Sequence, residues 1–254
     1  LKRFGRYFGE LTVHPFSSST EEEPEVIIYD QKEGNPPPPT DIWHTDETFR
    51  ECPPWGTALS CKIMPQVGGD TAFCSMTAVY EGLSDKMQQF LSGLEAVHDF
   101  VPFKTLFTAD QKGIERIRKY EDMYPKSTHP IVRVIPETGK KALYVNPQFT
   151  LYIKGMDEDE SRTILDLLFR KTHIHEYQYR HRWQVDDFMF WHNPSVQHSA
   201  LHDYYPQRRL MNRITIKGDK PIGEVPPADP KSLRRHLSPP VMEFASRQKR
   251  QHDT

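Results

Sequence analysis

Within Asp41-Ile42-Trp43-His44-Thr45-Asp46-Glu47-Thr48-Phe49, an imidazole and a carboxylate stand two residues apart. On an extended segment such neighbours project to the same side, so His44 and Asp46 could converge on one ion as half of a metal site. Taken alone, a His-x-Asp pair in a chain with 12 histidines is more often a surface hydrogen bond. The completing ligand is expected to be a second, remote imidazole. Two histidines and one carboxylate on one face of non-haem Fe(II) leave adjacent positions open for substrate and dioxygen. His198 is the candidate: it follows the predicted strand 188–191, and Asn193-Pro194 supplies a turn that would swing it inward.

Two arginines lie beyond it, Arg209 and Arg213, four positions apart at the start of a predicted strand. If both are extended they face the same side, where two guanidiniums repel unless anions sit between or before them. Each can grip a carboxylate or sulfonate through two parallel hydrogen bonds, which lysine cannot do. A small anionic ligand is the expected partner.

The remaining composition agrees. With 254 residues and a formal net charge of −2, the chain can bury a sizeable core but carries no long-range bias toward nucleic acid or an anionic membrane. Neither is expected as a partner. Cys52, Cys61 and Cys74 are odd in number and lack metal-ribbon spacing, which argues against a disulfide framework or a structural zinc site and suits a reducing, cytoplasmic setting. No apolar run reaches the roughly 18 residues of a membrane span, and no leader is visible.

The elements that must position these residues read mainly as short strands. Val26–Tyr29, Thr57–Met64, Thr71–Cys74, Leu94–Phe100, Ile131–Ile135, Ala142–Val145, Tyr177–Trp183, Asp187–Trp191 and Met211–Lys217 carry β-type patterns. Gly68-Gly69 marks a turn, and Pro36 to Pro39 a stiff loop leading into His44. Helices are expected at 1–8, 76–82, 84–92, 109–120 and 157–171, the last with an apolar stripe of Ile164, Leu165, Leu168 and Phe169. The histidines of Thr172-His173-Ile174-His175 and Arg180-His181-Arg182 read as solvated. Many short strands with helices in the connections indicate a mostly β fold, a double-stranded β-helix or jelly roll, over residues 1–221. Residues 222–254, rich in Pro, Lys and Arg, read as an irregular tail.

The ordered set Phe8-Gly9-Glu10-Leu11, Trp43-His44-Thr45-Asp46, Gly68-Gly69-Asp70-Thr71, Tyr144-Val145-Asn146, Arg182-Trp183, Gln197-His198 and Pro206-Gln207-Arg208-Arg209 resembles the taurine dioxygenase-like (TauD/TfdA) group of Fe(II)- and 2-oxoglutarate-dependent oxygenases. The resemblance implies that His44, Asp46 and His198 are iron ligands and that Thr71 and Arg209 hold the distal carboxylate of 2-oxoglutarate. It places Arg213 at the anionic group of the primary substrate, His14 as a substrate contact and Phe149 as a pocket wall. The implied activity is hydroxylation of an aliphatic carbon in a sulfonate, sulfate ester or carboxylate by dioxygen, with cleavage of a neighbouring heteroatom bond where one is present.

Ser17 and Thr40 depart from the tyrosine and asparagine of taurine-cleaving members, which makes taurine itself doubtful. The strands and helix that open the fold in relatives have no counterpart before Leu1. Homo-oligomers are common in the family, and the sequence leaves oligomeric state open. Two rival readings use the same pocket differently: a Zn-dependent hydrolase has no need of Thr71 and Arg209, and a catalytically silent anion-binding protein turns nothing over.

Overall fold

The structure, a computed structural model, describes residues 1–15, 19–35, 41–100, 104 and 111–224. The expected proline loop, Ser17, Thr40 and most of the tail lie outside these residues. No helix among the described residues is long and apolar enough to cross a membrane.

Four antiparallel sheets build a double-stranded β-helix. The largest has the order β1 (Ile27–Gln31), β12 (Arg209–Ile216), β2 (Gly56–Ile63), β10 (Phe188–His192). Its two inner strands are the most apolar in sequence because both of their edges are paired; Ala58, Cys61, Met211, Ile214 and Ile216 are wholly buried. Across from it, β11 (Val196–Ala200), β3 (Thr71–Ser75) and β9 (Gln178–His181) form a second sheet. Leu59, Cys61, Phe73, Trp183, Trp191 and Met211 make one shared apolar cluster. The β12–β2 register slips between Leu210 and Met211, leaving Lys62 unmatched. Because the extra residue belongs to β2, β12 keeps its alternation, and Arg209 and Arg213 stay on one face.

Two further sheets, β5 (Ser127–Pro130), β4 (Glu95–His98), β8 (Thr150–Ile153) and β13 (Ile222–Gly223), β6 (Val132–Val134), β7 (Lys141–Leu143), complete the strands. The pairing of β13 with β6 carries regular structure into the stretch that composition assigns to the tail. The helices are α1 (Lys2–Gly5), α2 (Met76–Glu81), α3 (Asp85–Leu91), α4 (Gln111–Met123) and α5 (Glu158–Arg170). Ser75, Ser84 and Asp157 cap α2, α3 and α5 by accepting backbone N–H bonds, and Leu165 and Leu168 of α5 enter a large core with Met76, Val79, Leu91 and Ile153. Strands β5, β8 and β11 are too short or too polar to be read from periodicity.

The β4–β5 sheet anchors the turn that follows Asp46. His129 donates from Nε2 to the carbonyls of Thr48 (2.8 Å) and Arg50 (3.0 Å), and Ser127 Oγ donates to Phe49 O (2.7 Å). Thr48 Oγ1 meets His98 Nδ1 at 3.0 Å and accepts from Asn146 Nδ2 at 3.1 Å. His98 and His129 are buried with rings 5.1 Å apart. Burial, more than any neighbour, holds His129 near a pKa of about 4 and His98 well below the usual imidazole range.

Both groups bind protons more readily unfolded than folded, so their contribution is complete above the unfolded imidazole pKa and is lost as pH falls from there toward the folded value. Urea unfolding at a series of pH values should show stability falling between pH 6.5 and 4, with His129 alone accounting for about 3 kcal/mol. Glutamine at 129 keeps a donor near Nε2 and should flatten that slope; an unchanged slope contradicts the assignment.

Candidate metal centre

Residues 41–46 run beside β11 and are stitched to it. His44 N donates to His198 O at 3.0 Å and His198 N to His44 O at 2.8 Å, an antiparallel bridge that sets the two histidines opposite one another. Thr45 Oγ1 donates to Val196 O (2.9 Å) and Ser199 Oγ to Asp41 O (2.7 Å), while Gln197 Nε2 secures β11 from behind through Val145 O (2.7 Å). The two rings lie 4.3 Å apart. His44 has the extended backbone expected of it. Asp46 does not: it opens a turn closed by Arg50 N to Glu47 O (2.9 Å), and its carboxylate meets the imidazoles from that bend.

Asp46 Oδ1 is 3.8 Å from His44 Nε2 and 3.6 Å from His198 Nε2, and one ligand atom from each of the three residues falls within 4.8 Å of the others. Two ligands about 2.1 Å from one ion can be at most about 4.2 Å apart, so both carboxylate separations suit a shared cation. The donor set fits ferrous iron: two imidazoles and one carboxylate, with no thiolate. His44 Nδ1 lies 2.8 Å from Ile42 O, to which it donates, which leaves the Nε2 lone pair free to ligate. His198 Nδ1 is buried without a hydrogen bond, its ring packed against Trp191 and Phe73. Burial lowers the pKa of His198 to about 3 and also lowers that of His44, so both are in the neutral form that binds metal.

Behind the carboxylate runs a chain of hydrogen bonds. Trp191 Nε1 donates to Asn193 Oδ1 (2.9 Å), Asn193 Nδ2 to Thr57 Oγ1 (2.8 Å), and Thr57 Oγ1 to Asp46 Oδ2 (2.6 Å). Arg213 approaches the other oxygen: NH2 is 2.7 Å from Asp46 Oδ1, an ion pair with poor hydrogen-bond direction, and NH1 donates to Tyr29 Oη at 3.0 Å. Burial would raise the Asp46 pKa, but Arg213, His198, His44 and Thr57 together hold it well below the carboxylate range. On β1, Ile27 stands opposite Arg213, and Tyr29 reaches it diagonally on the same face. Among the described ion pairs Arg213 joins Asp46, and Asp203 joins Arg180.

Thr71 Oγ1 accepts from Trp183 Nε1 (2.9 Å) and keeps its own proton to donate. Two residues earlier, Gly69 O accepts from Arg209 Nε (3.1 Å), and Gly69 N donates to Asp203 Oδ1 (2.8 Å). Gly68 and Gly69 have φ of +82° and +75°, and a Cβ on Gly68 would lie 2.6 Å from Asp203 O. The turn therefore needs glycine, and it aims Arg209. His14 is buried with Nε2 4.0 Å from Glu47 Oε1, and its surroundings include Arg213 and Asp46. Phe149 is buried, edge-on to His44 at 6.2 Å, and also belongs to the Phe49–Phe100 cluster. His173, His175 and His181 join no metal-like group among the described residues; His181 pairs with Asp187 at 3.3 Å. The sequence does not single out Tyr29, Thr57 or Asn193, which meet Arg213, Asp46 and Thr57 only through the fold, nor Glu47, whose role follows from its left-handed backbone. For Thr57, alternation along β2 toward the arginine-bearing face was the only available signal.

Comparison with known proteins agrees with this geometry. The profile described as taurine catabolism dioxygenase TauD, TfdA family matches residues 1–215. An alkylsulfatase of Acinetobacter baylyi is 32% identical over 227 residues, covering 87% of this chain and 70% of the relative. An alpha-ketoglutarate-dependent sulfonate dioxygenase of Saccharomyces cerevisiae is 31% identical over 235 residues, covering 89% of this chain and 56% of the relative. The crystal structure of a taurine dioxygenase from Burkholderia xenovorans superposes with a TM-score of 0.71 at 32% identity, covering 87% of this chain and 72% of that one. The chain thus spans 56% to 70% of the length of these two curated relatives.

If Thr57 orients Asp46, valine at position 57 removes the donor to Oδ2 while keeping the shape. Divalent-metal affinity, read by Fe(II) or Mn(II) titration of the purified protein, should fall about 10- to 100-fold. Unchanged affinity would show that the threonine only packs.

Proposed function

The chain belongs to the taurine catabolism dioxygenase TauD, TfdA family, and we propose on that footing that it hydroxylates an aliphatic carbon of a small anionic molecule, a sulfonate, sulfate ester or carboxylate, using 2-oxoglutarate and dioxygen. The observation that carries this reading is the convergence of His44, Asp46 and His198, remote in sequence, within 4.8 Å. These three would hold Fe(II), which with chelated 2-oxoglutarate supplies oxidative decarboxylation to succinate and carbon dioxide coupled to C–H hydroxylation.

The protein's own groups divide the remaining work. His44 and His198 stay neutral through burial, and Thr57 with Arg213 keeps Asp46 ionised, so the three donors need shed no proton to bind a cation. Arg209, aimed by the Gly68-Gly69 turn, and the spare proton of Thr71 suit the distal carboxylate of 2-oxoglutarate. Arg213, with Tyr29 on NH1, suits the anionic group of the primary substrate, beside His14 and Phe149. Where the hydroxylated carbon bears sulfur or oxygen, the product collapses to an aldehyde and releases the heteroatom group. Alkyl sulfates and sulfonates, the classes named for the two relatives, both meet that condition.

The test is iron-dependent succinate formation from 2-oxoglutarate in air, screened against sulfonates, sulfate esters and phenoxyacetates. Alanine at 44 should abolish it. Leucine at 209 should raise KM for 2-oxoglutarate about tenfold or more, and leucine at 213 should raise KM for the primary substrate by a similar factor. Turnover surviving without His44, or a hydrolysis supported by Zn(II) and indifferent to Arg209, would overturn the proposal.

A further inference from the structure

We propose that Glu47 is a specificity-determining residue of the substrate cleft, its Oε1 accepting a hydrogen bond from a hydroxyl or ammonium group on the same small anion that Arg213 receives. The inference rests on the dioxygenase reading above for the identity of the cleft.

Glu47 follows Asp46 directly and is 2% exposed. Its backbone has φ +49°, the left-handed region that side-chain-bearing residues seldom adopt and that clusters at ligand sites. One carboxylate oxygen is committed: Oε2 lies 2.5 Å from Arg50 Nε, and Arg50 NH2 donates to Val13 O at 3.0 Å, tying the segment that carries His14 to the turn after Asp46. The other is not. Oε1 is buried with no hydrogen bond, and the nearby His14 Nε2, at 4.0 Å, is beyond hydrogen-bond reach. Folded proteins seldom bury a carboxylate oxygen without a donor, and where they do a ligand is a ready explanation.

The neighbours identify which ligand. Oε1 lies 4.0 Å from His14 Nε2, and Arg213 NH2 lies 2.7 Å from the carboxylate of Asp46, the residue before Glu47, so Oε1, His14 and Arg213 border one region. Two carboxylates and two guanidiniums there sum to no charge, Arg50 answering Glu47 and Arg213 answering Asp46; a cation held by Asp46 and the two histidines would restore Arg213's attraction for an anion. A substrate that fits has an anionic group for Arg213 and a donor for Oε1. An alkyl chain against Oε1 would leave the oxygen desolvated and unpaired, so the same residue selects against donor-free anions.

The decisive experiment measures binding of three probes of equal heavy-atom count to the full chain loaded with Fe(II) and 2-oxoglutarate under argon. They are butane-1-sulfonate, 3-hydroxypropane-1-sulfonate and 3-aminopropane-1-sulfonate, followed by calorimetry. The wild-type protein should bind the hydroxyl and ammonium probes about tenfold or more tightly than butane-1-sulfonate. In Glu47→Gln the amide oxygen keeps the Arg50 contact and the NH2 turns into the cleft, so that preference should vanish or reverse while butane-1-sulfonate affinity stays within about twofold. Arg213→Leu should weaken all three alike. Equal binding of the three probes, no binding of any, or a preference that survives in Glu47→Gln overturns the proposal. Iron-dependent succinate formation, measured in air on the same preparations, reports separately on the dioxygenase reading: if it persists while the preference is absent, only the role of Glu47 has failed.

Discussion

A negative charge buried beside two imidazoles is the constraint that organises this molecule. The carboxylate of Asp46 is 2% exposed, and an unanswered charge at that depth would neutralise itself or unfold its surroundings. Two groups of positive potential answer it, and a third place is left for a cation. Thr57 supplies a proton on Oδ2, Arg213 a guanidinium at Oδ1, and the space between Oδ1 and the two Nε2 atoms suits a divalent cation. The elements nearby can be understood as supports for that arrangement: β2 brings Thr57, β12 brings Arg213, β11 brings His198, and the β4–β5 sheet clamps the turn after Asp46 through His98, Ser127 and His129.

The two ends of that site are held by different means. Between His44 and His198 the link is main chain to main chain, insensitive to which side chains flank it. Around the arginines it is almost wholly side chain: Tyr29 on Arg213, Arg50 on Glu47, and Asp203 on the glycine turn that aims Arg209. A guanidinium placed by a phenol and a carboxylate has its orientation set before any ligand arrives, which lowers the ordering cost of binding.

The sequence carried the candidate ligands plainly and their scaffold poorly. His44, Asp46 and His198, which the fold brings within 4.8 Å, were legible as candidates because few residue types ligate iron and their order resembles that of a known family. Arg209 and Arg213 were legible as a same-face pair, and the register slip does not disturb it because the extra residue is Lys62 of β2. What was hidden depends on pairing across long separations. Val196–Ala200 carries no strand signal of its own, yet it becomes a strand because β3 supplies its backbone partners and residues 41–46 cover its other edge. Thr57 and Asn193 are ordinary polar residues until the fold sets them 2.8 Å apart, and the turn at Asp46 departs from the expected extended run because Glu47 adopts a left-handed backbone that composition does not announce.

The division between main-chain and side-chain fixation bears on how such an enzyme could change over evolutionary time. Replacing Tyr29, Glu47 or Arg50 would recast what the cleft accepts without unpicking the ladder that joins residue 44 to residue 198. Chemical diet could therefore drift by single substitutions while the reactive centre is inherited intact.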